Sequence, residues 1–148
     1  MKAKIIISIV IIIAILIGFS LGIKFQTKQE IEYVYVKFAA EKIAIDDPRL
    51  ISAIIKAESK GNPKAVSKQG AYGLMQIRYE MHKNDLKQFG IFKAKDLFHP
   101  DKNIKAGKFI LTKYYKACNG DLKKALMLYS GNAKWYPERV LYYAMEGE

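Results

Sequence analysis

Cysteine and histidine are scarce in this chain of 148 residues. Cys118 is the only cysteine, so no disulfide can form within the chain, which leaves the redox compartment open. His82 and His99 lie far apart in sequence, with no cysteine or histidine spacing typical of a zinc site. We therefore predict that the protein binds no metal, and nothing in the sequence indicates a cofactor.

Acidic residues are the second shortage, with 14 Asp and Glu against 25 Lys and Arg and a net charge of +11. A basic domain suits nucleic acid, an anionic lipid surface or an acidic polymer. However, no basic run with interleaved aromatic residues stands out, and the lysines are scattered through the predicted helices. A solvated, lysine-rich surface accounts for most of this charge, so we predict no nucleic-acid partner.

One long stretch, residues 5–23, lacks charge altogether and reads IIISIVIIIAILIGFSLGI. As a helix it spans about 28 Å, close to the thickness of a bilayer core. The run is longer than the apolar region of a secretory signal, and Ser20-Leu21-Gly22 is a poor cleavage site. We predict that residues 1–23 form an uncleaved N-terminal transmembrane anchor, with a cleaved signal as the alternative.

Both interpretations place the rest of the chain outside the cytoplasm, although lysines on both sides of the apolar run leave an inverted topology open. Residues 24–28 form a short neck, and residues 29–148 suit one domain with its own core. Helix signals recur along this domain, including predicted N-caps at Asp47 and Asp121. The domain is therefore predicted to be mostly α-helical.

Glu58 fits its predicted helix less well than the residues around it. It lies seven residues after Ile51 and four after Ile54, so it continues their apolar stripe. The helix is predicted to end just after it, at Lys60 and Gly61, so the carboxylate faces the negative end of the helix dipole. The apolar stripe and the helix dipole both disfavour ionisation of the carboxyl, and we predict a raised pKa for Glu58. The misfit marks either a functional acid or a frayed last turn whose carboxylate reaches solvent.

The segment around Glu58 resembles a motif of the lytic transglycosylases, the SLT-type members of the lysozyme-like superfamily. Residues 57–77, AESKGNPKAVSKQGAYGLMQI, are similar to the family pattern E-S-x-x-x-P-x-A-x-S-x-x-G-A-x-G-L-M-Q without a gap. Residues 103–115 and 120–131 are similar to the family's Asn-x-x-x-Gly helix and Ala-Tyr-Asn segment. The likeness covers residues 43–143 and implies a mostly α, lysozyme-like domain of the goose-type lysozyme and SLT kind, after the predicted anchor.

The resemblance implies that Glu58 is a single catalytic acid and base. Protonated Glu58 would donate to the glycosidic oxygen between N-acetylmuramic acid (MurNAc) and N-acetylglucosamine (GlcNAc). The resulting carboxylate would help the muramoyl C6 hydroxyl attack C1, which closes a 1,6-anhydro ring without water. This chemistry needs an acid with a raised pKa and departs from glycosidases that use two carboxylates.

The resemblance also implies substrate-binding roles for five residues. Ser67 would contact the N-acetyl region of the substrate, and Gly73 would let the backbone approach the sugar. Met75 and Gln76 would shape the cleft, and Tyr129 would point its hydroxyl towards the catalytic carboxylate. From the residues alone, each has a structural alternative as a turn or core residue.

The sequence departs from the family pattern at two places. Ser130 replaces the asparagine that follows the family's tyrosine, and Arg78-Tyr79 replaces a frequent Met-Pro. Both changes fall in the expected glycan groove, so they leave the substrate preferences open. Glu80 follows closely, and we predict that it is a surface residue rather than a second catalytic carboxylate.

The sequence as a whole predicts an enzyme that is held in the cytoplasmic membrane, faces the periplasm or cell wall, and acts on peptidoglycan strands. Small size and an anchor are consistent with a partner in cell-envelope assembly. Two rival interpretations are a muramidase that cleaves the same bond with water and a non-catalytic glycan-binding or assembly module.

Overall fold

The computed structural model describes residues 13, 34, 36–41 and 43–146. Apart from Ile13, the predicted anchor in residues 1–23 lies outside the described residues, as does the neck in residues 24–28. Within the part of the chain that is described, no helix combines the length and the apolarity needed to cross a bilayer. The transmembrane anchor therefore stays a prediction.

Helices make up most of the described residues, which confirms the predicted mostly α class. Residues 36–41 are helical and precede the first bounded helix. The helices are α1 (Pro48–Ser59), α2 (Tyr79–Leu86), α3 (Pro100–Ala117), α4 (Leu122–Tyr129) and α5 (Tyr136–Glu146). Two 3₁₀ helices, Lys87–Phe89 and Ala94–Phe98, lie between α2 and α3.

Helix α1 begins and ends where its sequence signals predict. The Asp47 carboxylate accepts a hydrogen bond from the Arg49 amide at 2.8 Å, and Pro48 occupies the first helical position. At the other end, Lys60 adopts a left-handed conformation with φ of 54°, and Gly61 follows with φ of 83°. Because the helix stops here, Glu58 lies in its last turn.

The core forms where the helices pack in pairs. Helix α1 packs on α5, α3 packs on α4, and α4 also contacts α5. The fully buried large side chains come from every part of this arrangement, and they are Leu50, Ile54, Met75, Leu86, Ile91, Leu97, Asn103, Leu111, Leu126, Val140 and Leu141. Burying each apolar member contributes about 1.5–3 kcal/mol.

A short β-hairpin lies between α1 and α2, and the sequence does not predict it. Strand β1 (Ala71–Tyr72) pairs antiparallel with β2 (Ile77–Arg78). The connecting turn contains two residues with positive φ, Gly73 at 76° and Gln76 at 47°. The hairpin packs against the second 3₁₀ helix.

Asn103 of α3 holds the hairpin in place through its buried side-chain amide. Its Oδ1 accepts a hydrogen bond from the Met75 amide at 2.8 Å. Its Nδ2 donates to the carbonyls of Tyr72 and Leu97, both at 2.9 Å. A Cβ at Gly73 would collide with the Asn103 side chain and the Leu97 carbonyl. Gly73 is therefore needed for close approach to α3, whereas the predicted approach to a sugar stays a prediction.

Replacing Asn103 with leucine should lower the free energy of unfolding by about 3 kcal/mol, because one backbone N–H and two carbonyls lose their buried partner. Urea unfolding followed by circular dichroism would measure the change. Asn84→Leu is the matched control, since Asn84 is exposed in α2 and its replacement should change stability by less than about 0.5 kcal/mol. A loss no larger than that of the control would contradict this role of Asn103.

Candidate active site

Glu58 lies where the end of α1 passes beside the start of α5. Its side chain is half-buried, in contrast to the exposed lysines on either side, Lys56 and Lys60. Ile54 and Ile51, one and two turns earlier on the same face, are buried in the core. The carboxyl group therefore faces the interior, and the alternative of a frayed last turn pointing into solvent does not apply.

The pKa of Glu58 is raised above its ordinary value, and burial is the largest cause. Two neighbours act in the opposite direction: the hydroxyl of Tyr136 and the positive charge of Arg78 both favour the ionised form. Burial outweighs them, so the predicted raised pKa is confirmed. An acid of this kind holds a proton to a higher pH than an exposed glutamate does.

Tyr136, the first residue of α5, is the group of this site that sequence reasoning missed. Its hydroxyl is buried and, within the described residues, does not reach hydrogen-bond distance and angle with any partner. It nevertheless faces Glu58 closely enough to lower the pKa of that carboxyl, while burial raises the pKa of Tyr136 itself well above its usual range. A signal was present, because Tyr136 shares a helical stripe with Val140 and Ala144, and a buried tyrosine hydroxyl needs a polar partner.

Tyr129, at the end of α4, is close to Glu58 but does not donate its hydrogen bond to it. Its hydroxyl donates to the Met75 carbonyl at 2.8 Å. Burial is the main reason that its pKa is raised well above the usual range, and the charge of Glu58 contributes. The single hydroxyl proton is bound to the Met75 carbonyl, and a direct contact of this hydroxyl with the Glu58 carboxylate stays a prediction.

Met75, which is predicted to bind substrate and shape the cleft, lies in the core beside the cleft. Its side chain is fully buried, and its thioether packs against Gly107 of α3. The side chain therefore has a structural role here, and contact with a substrate stays a prediction. The backbone of Met75 connects the hairpin to two helices. Its amide donates a hydrogen bond to Asn103 of α3, and its carbonyl accepts one from Tyr129 of α4.

Gln76 and Ser67 both stabilise the loops beside the cleft. The Gln76 amide donates to the carbonyls of Ala65 at 3.2 Å and Gly73 at 3.0 Å, while its backbone holds an unusual positive φ. The Ser67 hydroxyl accepts from the Ala71 amide at 3.1 Å. Each side chain has a structural role, and contact with a substrate stays a prediction for both.

A cleft opens next to this group of residues. Its walls come from the hairpin, α2, α3 and α4, and they include Gln76, Arg78, Met81, His82, Tyr114 and Tyr129. Arg78 thus links the cleft to Glu58, because its charge acts on that carboxyl. The sequence did not predict that His82 and Tyr114 line the cleft. Their ring centroids lie 6.4 Å apart in an edge-to-face arrangement.

The other acids near the cleft already have partners at the surface. Glu80 is exposed and pairs with Lys83 at 3.3 Å, which confirms its prediction as a surface residue. Asp85 pairs with Lys113 at 2.6 Å. Across the described ranges, His, Cys, Asp and Glu side chains form no group of three that could hold a metal ion. Glu58 is therefore the carboxylate available at this site for proton transfer.

A family comparison agrees with this arrangement. Residues 35–134 match the profile of the Transglycosylase SLT domain, which is more than half of the chain. The chain belongs to the SLT transglycosylase family. The match includes Glu58, the hairpin, α3 and α4, and it ends two residues before Tyr136.

Named relatives of this SLT-family chain come from a phage and from bacteria. The chain is 35% identical over 104 residues to a transglycosylase of Enterobacteria phage PRD1, a match that covers 64% of the chain and 36% of that protein. It is 42% identical over 69 residues to the endo-type membrane-bound lytic murein transglycosylase A of Citrobacter koseri. This match covers 44% of the chain and 34% of that protein. The protein of the same name from Klebsiella pneumoniae is 41% identical over 70 residues, covering 45% of the chain and 34% of that protein.

The chain spans about a third of the length of these relatives. No solved structure matches it.

Replacing Glu58 with glutamine should stabilise the fold at neutral pH, because burial disfavours the ionised carboxylate. When folding raises the pKa of an acid, the contribution of that acid to stability is fully present below the unfolded pKa. The contribution is lost as the pH rises through the folded pKa. The advantage of Glu58→Gln should therefore be small well below pH 4.5, the ordinary pKa, and grow above it. Urea unfolding midpoints of the wild type and Glu58→Gln, measured from pH 3 to 8 at intervals of about one pH unit, would test this.

Glu80→Gln is the matched control for this measurement, because Glu80 is exposed and pairs only at the surface. Its stability difference from the wild type should be small at every pH. A Glu58 variant that follows the same flat line would contradict the burial of this carboxyl.

Replacing Tyr136 with phenylalanine should raise the pKa of Glu58 further, since the hydroxyl now favours the ionised form. Carbon-13 NMR of the glutamate side-chain carboxyl groups across a pH titration would report the shift directly. Tyr142→Phe serves as the control, because that hydroxyl is exposed and bonds to Glu146. An unchanged or lower Glu58 pKa in Tyr136→Phe would show that the two groups do not interact.

Proposed function

We propose that this SLT-family protein is a peptidoglycan lytic transglycosylase that cleaves the β-1,4 bond between MurNAc and GlcNAc. The observation that carries the proposal is the carboxyl of Glu58, half-buried beside a cleft and with a raised pKa. The lytic murein transglycosylases that the chain resembles support the same activity.

In this proposal, Glu58 acts first as an acid and then as a base. The protonated carboxyl donates to the glycosidic oxygen, and the bond between that oxygen and C1 of the muramoyl sugar breaks. The carboxylate then accepts the proton of the muramoyl C6 hydroxyl, whose oxygen bonds to C1 and closes the 1,6-anhydro ring. One carboxylate serves both steps, and no water is consumed.

The proposed mechanism assigns supporting roles to the neighbours of Glu58. Tyr136 holds the carboxyl through its hydroxyl, and Arg78 stabilises the carboxylate after the proton has left. Tyr129 keeps the hairpin in position by binding the Met75 carbonyl. Ser67, Gly73 and Gln76 form the loops over which the glycan lies.

We also propose that residues 1–23 anchor the domain to the cytoplasmic membrane, with the cleft facing the periplasm or cell wall. Two observations support this: the uncharged run of residues 5–23, and the names of the Citrobacter and Klebsiella relatives, which call those proteins membrane-bound. An anchored enzyme cuts strands near the membrane, where a cell-envelope assembly partner can direct it.

Glu58→Gln in the full chain should reduce the release of soluble fragments from purified sacculi by at least about 100-fold, the typical contribution of a general acid. Turbidity loss and chromatography of the released muropeptides would measure the rate. Glu80→Gln is the control, since it makes the same chemical change in an exposed side chain and should retain activity.

Mass spectrometry of the products separates the two chemistries. Fragments that end in 1,6-anhydro-muramoyl groups, each lighter by one water than a hydrolysis product, support the lytic reaction. Reducing ends alone would replace it with a muramidase. Wild-type protein that is as inactive as Glu58→Gln, but still binds sacculi, would instead indicate a glycan-binding module.

A further inference from the structure

The guanidinium of Arg78 lines the cleft and forms no salt bridge with a carboxylate of the described residues, although its charge reaches the half-buried Glu58. The hydrogen bond of this group within that part of the chain goes to the Met81 sulfur at 3.7 Å, and a thioether is a weak acceptor. The facing position is Gly131, where even a Cβ would come within 3.0 Å of the guanidinium. The absence of a side chain there leaves the guanidinium open to the cleft.

The other two arginines of the chain are already bound to protein groups. Arg49 pairs with Asp47 at 2.8 Å, and Arg139 stacks on the Trp135 ring at 4.3 Å. Arg78 differs from both, because it points its charge at a space that a ligand can enter. A guanidinium has a planar fork of donors that matches the two oxygens of a carboxylate.

The walls around Arg78 strengthen such an ion pair. Ile77, Ile110 and Leu128 line the same cleft and remove part of the surrounding water. Charges interact more strongly in partly desolvated surroundings than at an open surface. The site therefore suits a ligand that carries a carboxylate next to apolar groups.

In peptidoglycan, the sugars are neutral, and the carboxylates belong to the lactyl-linked peptide stem of the muramoyl residue. We propose that Arg78 binds a carboxylate of that peptide stem and makes the enzyme prefer strands with acidic stems. This inference rests on the proposed function, since it assigns a substrate feature to the same cleft. The charge of Arg78 acts on Glu58, so both groups belong to the same site.

The test compares three forms of the same glycan strands, cleaved by the full chain. One form keeps its native stems, a second has its stem carboxylates converted to amides, and a third is stripped by an amidase, which leaves free lactyl carboxylates. Arg78→Gln should raise KM on native strands about tenfold, the effect of losing one partly desolvated ion pair. On amidated strands the same variant should change KM by less than about twofold.

Two further variants sharpen the comparison. Arg78→Lys keeps the charge but not the fork, and it should recover part of the lost preference. Lys108→Gln removes one positive charge from an exposed position of α3 and should leave the preference unchanged. The ratio of kcat/KM between native and amidated strands cancels any effect of Arg78 on Glu58, because that effect is the same for both substrates.

The outcomes separate this inference from the proposed function. An equal effect of Arg78→Gln on all three substrates would overturn the inference, and so would a larger effect on stripped strands, which would assign Arg78 to the lactyl carboxylate. Calorimetric binding of a soluble disaccharide-peptide to Glu58→Gln, with and without Arg78→Gln, tests the contact without cleavage. Weaker binding in the double variant supports the inference even if the wild type cuts nothing, whereas unchanged binding overturns it.

Discussion

The buried amide of Asn103 is the interaction on which the geometry of the site depends. It binds three backbone groups to α3, two in the hairpin and one in the second 3₁₀ helix. The same hairpin places Gln76 and Arg78 in the cleft and brings the Met75 carbonyl to Tyr129. Each polar group is satisfied, so the network has one arrangement of low free energy and holds the cleft wall rigidly. The hydrogen bonds between Asn103 and the hairpin therefore determine where the cleft lies relative to Glu58.

The environment of Glu58 balances two opposing requirements. An acid that later serves as a base must hold a proton and must also release it. Burial favours the protonated form, while Tyr136 and Arg78 favour the carboxylate, so neither form is excluded. The groups that achieve this balance come from α1, α5 and the hairpin, elements that are distant in sequence. The packing of α1 on α5 therefore influences the protonation of Glu58 as well as forming part of the core.

Local signals in the sequence were sufficient to predict the helical class and several helix ends. Asp47 and Asp121 cap α1 and α4 as predicted, because N-caps depend on neighbouring residues only. The hairpin was not predictable, since strands of two residues have no period to detect. Glu58 was identified because a carboxylate on an apolar stripe is a local anomaly. The partners of Tyr129 and the burial of Met75 depend on contacts across the fold, which the sequence pattern does not record.

The two tyrosines beside Glu58 differ in what their hydroxyl groups have left to offer. The proton of Tyr129 is committed to the Met75 carbonyl, whereas the Tyr136 proton has no fixed acceptor among the described residues. A hydroxyl that is free in this way can donate to an ionised carboxylate and accept from a protonated one. Tyr136 can thus remain the partner of Glu58 on both sides of a proton transfer by rotating a single O–H bond. A change in the protonation of Glu58 therefore requires no movement of the heavy atoms of Tyr136.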